Sequence, residues 1–532
     1  MRLVALAGLL YGPVVAMAFW AAGTYSTRSV VALLLTATLV AALASGITRS
    51  WRRFFLLQFP LFVLGVAFIA YTFGFGMVPG RTLAMILVGT SWEEVRGFAA
   101  LPQGRSLVLL LAASSALYLY LALTLAPLPI FVGRGRRVAR PLLVLLLPVT
   151  AYVGWNAEQL IDGIALTPAV GSVMFLAGTV PQAAREVRGS RVQKIPYHAS
   201  GSGAEEVHVL VVGESARRES WSVYGYRRQT TPYLETLRGE AVFLTNAIAD
   251  ANLTEWAVPM LLTGMAPGNF SADQIRGNIV DLAKEGGYTT TWLLNQDIGI
   301  STSVGITPDR LEYPADFQAT INGRHTLDEA LLPAYRRELA RSGTARFIGI
   351  HMMGSHWEYY RRYPDRFARF GAASQLGMLS IFLADDASAR KVLDSYDNTV
   401  LYTDWFLQQV IEAARALEVP ATVTFFPDHG EDLQLLDGAS GHGQPVYTRH
   451  AFEIPAFVWM NAAYRRAHPE RAAALERNAA LEIRTHNVFY TLGDLMGITW
   501  PGSHARFSFA SEQFAPDVAM QHIAGGVLVS RP

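Results

Sequence analysis

The sequence predicts an α-helical transmembrane domain followed by an α/β domain with a mostly parallel central sheet. Three observations carry this reading. Five long uncharged runs fill residues 1–160, and all 12 histidines lie beyond Tyr197. In the second half, short β-branched apolar runs alternate with helical patterns, the signature of a parallel sheet covered on both faces. The boundaries follow from composition: residues 1–160 are expected to form the membrane domain, 161–204 a membrane-proximal connector, and 205–532 the α/β domain.

The uncharged runs extend from Leu3 to Thr27, Ser29 to Thr48, Phe54 to Gly80, Ser106 to Gly133 and Pro141 to Ala157. A spanning helix needs about 20 predominantly apolar residues, which the first four satisfy and the fifth approaches. A cleaved signal peptide is disfavoured for the first run, because it is too long and is followed at once by another. Basic residues set the orientation. Arg2 flanks the first run, Arg49, Arg52 and Arg53 fill the second connection, and Arg134, Arg136, Arg137 and Arg140 fill the fourth. Cytoplasmic loops collect such residues, so the N-terminus is inside and five spans deliver the rest outside. The stretch Gly163 to Ala184 is also uncharged, but Pro168, Pro181 and several small polar residues make it a poor span. It reads better as a segment lying on the membrane, with Arg185, Arg188, Arg191 and Lys194 meeting anionic head groups.

Formal net charge is +1, from 44 Lys and Arg against 43 Asp and Glu, so nothing recommends a nucleic-acid partner. With no cysteine in the chain, disulfides and thiolate ligands are excluded, and any metal is held by oxygen and nitrogen.

After the small-residue stretch Ala199–Ala204, which reads as a flexible linker, Val207–Val212 is a buried-strand pattern ending at Gly213. Phe347–Ile350, Thr422–Phe426 and Ile454–Trp459 repeat it, while Thr403–Leu417 and Asn487–Met496 have helical periodicity. Ligands in such sheets gather at the carboxyl ends of strands. Glu214 follows the first strand, His351 and His356 the second, and Asp428-His429 the third. Carboxylates and imidazoles converging on one edge are the donor set of a zinc-type hydrolase or transferase. His442, in Gly441-His442-Gly443, sits on a loop able to approach a ligand closely. Of His351 and His356, one is expected to be a direct ligand.

Without a thiol, a covalent nucleophile must be a hydroxyl. Thr254 precedes an apolar helical stretch, where it is suited either to cap the helix or to face a phosphate held at the helix N-terminus. Capping is the more ordinary role, and Ser215 and Ser220 are rival nucleophiles. In the third connection, Thr90 and Glu94 are four apart and share one face if helical.

The runs Gly213-Glu214-Ser215-Ala216-Arg217-Arg218, Tyr224–Pro232, Thr254 with Pro259, Asn295-Gln296, His351–His356, Tyr396–Asp404, Asp428–Glu431, Gly441–Gly443 and Ile454-Pro455 together resemble the membrane-bound phosphoethanolamine transferases of the alkaline phosphatase/sulfatase superfamily. The resemblance spans roughly residues 205–500, and five preceding membrane helices are also that family's arrangement. It implies a sulfatase-like catalytic fold and a Zn2+ site made by Glu214, Thr254, Asp428 and His429. His356 and His442 would lie near a second Zn2+ or the substrate phosphate, and Thr90 and Glu94 in the donor-binding stretch. The implied reaction moves phosphoethanolamine from phosphatidylethanolamine to a lipopolysaccharide acceptor, lipid A or a core sugar, through a phosphoethanolamine-threonine intermediate. The alternative is a phosphoglycerol transferase acting on periplasmic glucans, or a membrane-anchored phosphodiesterase or sulfatase. The expected location is the bacterial inner membrane, as a multi-pass monomer with its catalytic domain in the periplasm. Two departures bear on the acceptor: the lipid A-modifying branch carries disulfides, and Trp357 and Glu358 replace the small and proline residues usual after His356.

The topology is testable. Each arginine of the fourth connection placed centrally in the bilayer would cost roughly 2.5–3.5 kcal/mol. A reporter that works only outside the cytoplasm, fused after Pro532, is therefore expected to be active. Activity confined to a cytoplasmic reporter would make Gly163–Ala184 a sixth span and contradict the assignment.

Overall fold

The computed structural model describes residues 1–10, 48, 50–75, 102–130, 194–271, 274–296, 304–314, 326–357, 359–371, 386–433, 441–444, 446–517 and 521–531. The chain divides into two compact units, Met1–Thr90 with Val95–Ala184 and Ser91–Glu94 with Arg185–Pro532. Thr90, Glu94, the segment 163–184 and most of the five apolar runs lie outside the described residues.

In the first unit, α1 (Trp51–Leu57) is capped by Ser50, whose side chain accepts from Arg53 N–H. α2 (Phe59–Phe75) follows after Gln58, and α3 (Pro102–Leu123) is 22 residues long. Among the described residues no single helix is long and apolar enough to cross a membrane. The pair Trp51–Leu57 and Phe59–Phe68, bent by 49°, is together long and apolar enough to do so. An aromatic cluster joins these helices: Phe62 stacks on Tyr118 at 4.4 Å, and the Tyr118 hydroxyl donates to the Phe55 carbonyl at 2.9 Å.

The second unit is built on a seven-stranded sheet. Its strands are β1 (Val207–Gly213), β2 (Ala241–Leu244), β4 (Thr289–Leu294), β5 (Arg310–Glu312), β6 (Arg346–His351), β7 (Ala421–Pro427) and β8 (Ala456–Met460), in the order β2-β8-β7-β1-β6-β4-β5. The pairs of β1 with β6 and β7, and of β4 with β5 and β6, are parallel. β8 runs antiparallel to both its neighbours. Shorter pairings join β3 (Ala247–Ile248) to β9 (Ile483–Arg484) and β10 (Gln521–Ala524) to β11 (Val527–Ser530).

Strand alternation divides β1 between two cores. Leu210 and Val212 pack with residues of α4 (Thr254–Thr263), α5 (Ile279–Glu285) and α8 (Asn487–Leu495). Val207, Val209 and Val211 pack on the other face with residues of α6 (Leu332–Leu339) and α7 (Asp386–Arg415). A strand buried on both faces is mostly apolar, and the one polar side chain of β1, His208, is held by Thr422 Oγ1 at 2.9 Å and Glu206 Oε2 at 3.2 Å.

Each expected strand is present within a residue or two. The fourth begins at Ala456, because Ile454-Pro455 stands outside the ladder. The helix expected over Thr403–Leu417 is the C-terminal half of the 30-residue α7. The reading of Ala199–Ala204 as a flexible linker is corrected in its first half. Ser200 pairs with Thr499 through two backbone hydrogen bonds of 2.9 Å, and a Cβ on Gly201 would lie 2.2 Å from the Gly286 carbonyl oxygen.

Gly349 is required by packing. It is the β6 partner of Trp292 on β4, and a Cβ there would lie 2.0 Å from the indole ring. Gly349→Ala is expected to destabilise the second unit by about 1–3 kcal/mol, read from the urea midpoint of tryptophan fluorescence. An unchanged midpoint would contradict this packing.

Candidate metal centre

Three adjacent central strands, β7, β1 and β6, end side by side, with Gly213 opposite Pro427 and Val212 opposite His351. The register carries Glu214, Asp428 and His429 to one edge. Backbone hydrogen bonds extend the ladder past the strand ends: Asp428 N to Gly213 O at 3.1 Å, Ala216 N to His429 O at 2.8 Å and Ser355 N to Glu214 O at 3.1 Å. Ser215 adopts a left-handed φ of 51°, which directs the Glu214 and Ser215 side chains to the same side. The Tyr396 hydroxyl holds that turn, donating to Ser215 O at 2.7 Å and accepting from Arg217 N at 2.8 Å. Gly354 is needed nearby, because its φ is 48° and a Cβ would lie 2.9 Å from Glu214 O.

Thr254 arrives from another direction, as the first residue of α4. The cap position belongs to Leu253, whose side chain makes no capping bond. Capping is therefore not the role of Thr254. Its hydroxyl lies 3.3 Å from Glu214 Oε2, 3.5 Å from Glu214 Oε1 and 3.2 Å from His429 Nε2. Ser215 lies in the same cluster, but its hydroxyl donates to Glu214 Oε1 at 2.7 Å. Ser220 is buried in a separate turn, Arg218–Ser220, whose carbonyl accepts from Thr230.

The charge balance is unusual for a protein interior. Glu214 and Asp428 are 1% and 0% exposed, and among the described residues His429 is the one cationic-capable side chain within ion-pair distance of either. Asp428 Oδ1 accepts from the backbone N–H groups of Ser215 and His429, while among the described residues no hydrogen bond reaches Oδ2. Burial and the nearby Asp428 push the Glu214 carboxyl well above its ordinary range. Two buried carboxylates sharing a site without a fixed cation are unfavourable, and a bound cation relieves that cost. Glu214, Asp428 and His429 place ligand atoms within 4.8 Å of one another, as do His429, Glu431 and His442.

Three imidazoles are oriented alike. Nδ1 of His429 lies 2.7 Å from Gly430 O, Nδ1 of His442 lies 2.6 Å from Glu431 Oε2, and Nδ1 of His356 lies 2.6 Å from Trp357 O. An oxygen acceptor at Nδ1 assigns a proton there, which in a neutral ring leaves Nε2 to ligate a metal or accept a proton; His356 Nδ1 also has Arg362 Nη2 at 3.3 Å. Burial lowers the His429 and His356 values below the ordinary imidazole range. Burial opposes protonation of His442 as well, but Glu431 prevails and raises it to about 9. The His442 ring lies 4.4 Å from His429 and 6.1 Å from His356, centre to centre.

The structure thus brings Glu214, Thr254, Asp428 and His429 into contact and sets His442 and His356 beside them. His351 is fully buried at the end of β6, among the described residues neither ring nitrogen is hydrogen-bonded, and burial lowers it to about 4 against the opposing pull of Asp428. Glu431 and Gln296 were not among the expected site residues. Glu431 binds His442 and accepts from Tyr359 OH at 2.6 Å, and Gln296 Nε2 donates to Glu214 Oε2 at 2.8 Å. Both stood inside runs already singled out, Asp428–Glu431 and Asn295-Gln296, but the chemistry of neither side chain distinguishes it from a solvated loop residue.

Comparison with known proteins agrees with this architecture. EptC, a phosphoethanolamine transferase of Escherichia coli K12, is 26% identical over 317 residues, 58% of this chain and 53% of its own. The C-terminal periplasmic domain of EcEptC from Escherichia coli, solved in complex with Zn, aligns with a TM-score of 0.55 at 22% identity, covering 63% of this chain and 96% of that one. The Kdo(2)-lipid A phosphoethanolamine 7''-transferase of E. coli K12 is 25% identical over 326 residues, 58% of this chain and 54% of its own. The integral membrane lipooligosaccharide phosphoethanolamine transferase A (EptA) of Neisseria meningitidis shares the fold with a TM-score of 0.69 at 20% identity, over 89% of this chain and 98% of that one. The chain spans about half the length of the curated relatives it matches. The sulfatase family model matches residues 207–498, more than half of the sequence, so the chain belongs to the sulfatase family.

Proposed function

We propose that this protein transfers phosphoethanolamine from phosphatidylethanolamine to a lipopolysaccharide acceptor, lipid A or a core sugar, with Thr254 as nucleophile. The observation that carries this is the Thr254 hydroxyl, held at a helix N-terminus against Glu214 and His429 beside Asp428. The names of the relatives support the transferred group and the acceptor class. Glu214, Thr254, Asp428 and His429 would hold Zn2+, which all-oxygen-and-nitrogen donors suit. When bound, it neutralises phosphate charge and favours the ionised hydroxyl.

The chain's own groups account for the rest. Thr254 Oγ1 attacks the donor phosphorus, the bond to the diacylglycerol oxygen breaks, and that oxygen takes up a proton. The helix N-terminal N–H groups attract the phosphate. His356 and His442 position the phosphate and assist proton transfer. An acceptor hydroxyl or phosphate then attacks the phosphoethanolamine-threonine ester in line, and Thr254 is regenerated.

The donor is a membrane lipid, so anchoring raises its effective concentration at the site. Five spans over residues 1–160, the connector 161–204 and a periplasmic domain from 205 form this arrangement, with Thr90 and Glu94 binding donor. The distribution of arginine supports it, as does the exposed apolar face of α3, which includes Leu109, Leu117, Tyr120 and Leu123.

Thr254 makes no capping bond, so Thr254→Ala is expected to leave the melting temperature nearly unchanged. Transfer to lipopolysaccharide, followed by mass spectrometry of the glycolipid, should fall by about three orders of magnitude or more. Wild-type transfer by Thr254→Ala would exclude this nucleophile.

Asp428→Ala and His429→Ala are each expected to lose both bound Zn2+ and transfer, whereas His442→Ala keeps the tightly bound metal and loses turnover. Elemental analysis of the purified variants reads this directly. Unchanged zinc in Asp428→Ala would contradict the ligand set.

A further inference from the structure

The loop that delivers Thr254 runs from β3 through Ala249–Leu253, and it is gripped along its length. Buried Asp250 accepts from the backbone N–H and Nδ1 of His486, at 2.8 and 2.7 Å, and meets Arg484 Nε at 2.8 Å. The Asp250 carbonyl accepts from Ile523 N at 2.8 Å, and Asn252 N donates to Ile523 O at 3.2 Å, so β10 lies along the loop. These contacts fix the loop against the C-terminal hairpin.

Asn252 does something different. It is 1% exposed, and its amide bridges two other loops. Oδ1 accepts from Gly525 N at 2.9 Å, in the turn between β10 and β11, while Nδ2 donates to Gln444 O at 2.9 Å. A backbone N–H can only donate and a carbonyl can only accept, so this pair of partners requires one acceptor and one donor on the same short side chain. Asparagine meets that demand. Aspartate would oppose the Gln444 carbonyl with a second acceptor.

The neighbouring residue completes the grip. A Cβ on Gly443, whose φ is 80°, would lie 2.8 Å from Leu253 Cδ2, so Leu253 packs directly on that glycine. Asn252 and Leu253 immediately precede Thr254, and Gly443 and Gln444 immediately follow His442. Two loops about 190 residues apart in sequence are thereby interlocked beside the cluster.

We propose that Asn252 is a positioning residue that ties the Thr254 loop to the His442 loop and fixes the separation of hydroxyl and imidazole. The inference rests on the reading of Thr254 as nucleophile. Reaction rates respond steeply to such spacing, since a displacement of about 1 Å can lower them about 100-fold.

The test uses the zinc-loaded full chain in detergent, releasing diacylglycerol from phosphatidylethanolamine in mixed micelles. Asn252→Asp keeps the acceptor for Gly525 and removes the donor to Gln444. It is expected to lower kcat about 10- to 100-fold in the folded protein while KM and bound zinc stay at wild-type values, with a lower melting temperature from the buried carboxylate facing a carbonyl. Gly443→Ala, which wedges Leu253 away, should show the same split and decides the matter if Asn252→Asp does not fold. Because both variants break one interlock, the double variant should be no more than about threefold worse than the worse single. Wild-type kcat in either folded variant, a loss confined to KM, loss of zinc in proportion to kcat, or multiplicative losses in the double variant would overturn the proposal. Thr254→Ala separates the two levels. If it turns over normally, or if the wild type releases no diacylglycerol, the nucleophile reading fails and the positioning role with it. If it is inert while Asn252→Asp matches the wild type, the positioning role alone fails.

Discussion

Two carboxylates, Glu214 and Asp428, are buried together at the end of the central strands, with His429 as their nearest partner capable of positive charge. An interior does not hold such a pair without compensation. Much of the surrounding architecture keeps them there. Parallel pairing of β7, β1 and β6 brings their chain segments together, and the Tyr396 hydroxyl secures the left-handed turn at Ser215. Backbone N–H groups satisfy one oxygen of Asp428, and Gln296 satisfies one of Glu214. What these contacts leave unmet is positive charge, which a bound divalent cation would supply.

Around this centre, each imidazole is held through Nδ1 by an oxygen, and the three acceptors differ in charge. His429 and His356 donate to carbonyls, while His442 donates to a carboxylate. That difference accounts for their opposite protonation tendencies. Burial lowers the first two below the ordinary imidazole range, whereas Glu431 raises His442.

The strands that build the site were legible because they are buried on both faces and therefore mostly apolar, with His208, Thr422 and Thr424 as buried exceptions. β4 was not, since Thr289-Thr290-Thr291 resembles a polar loop. In the fold, the Thr290 and Thr291 hydroxyls are satisfied by Asp309 and Glu338, each at 3.0 Å, which permits threonines in a buried strand. The first half of α7 was also missed, because its polar residues from Asp386 onward show less periodicity than Thr403–Leu417. Glu214, Asp428 and His429 could be read from their places after strands. The place of Thr254 could not, because a threonine before a helix serves equally as a cap; in the fold Leu253 holds the cap position and the Thr254 hydroxyl lies against Glu214 and His429. Asn252 was beyond sequence reading, since its partners are 192 and 273 residues away.

The central claim is covalent chemistry at Thr254, and trapping the intermediate tests it most directly. Intact-protein mass spectrometry of the zinc-loaded wild type, mixed with phosphatidylethanolamine and no acceptor, should show one phosphoethanolamine adduct, with peptide mapping locating it at Thr254. An adduct on Ser215 or Ser220, or rapid donor cleavage with no adduct at any mixing time, would contradict the account.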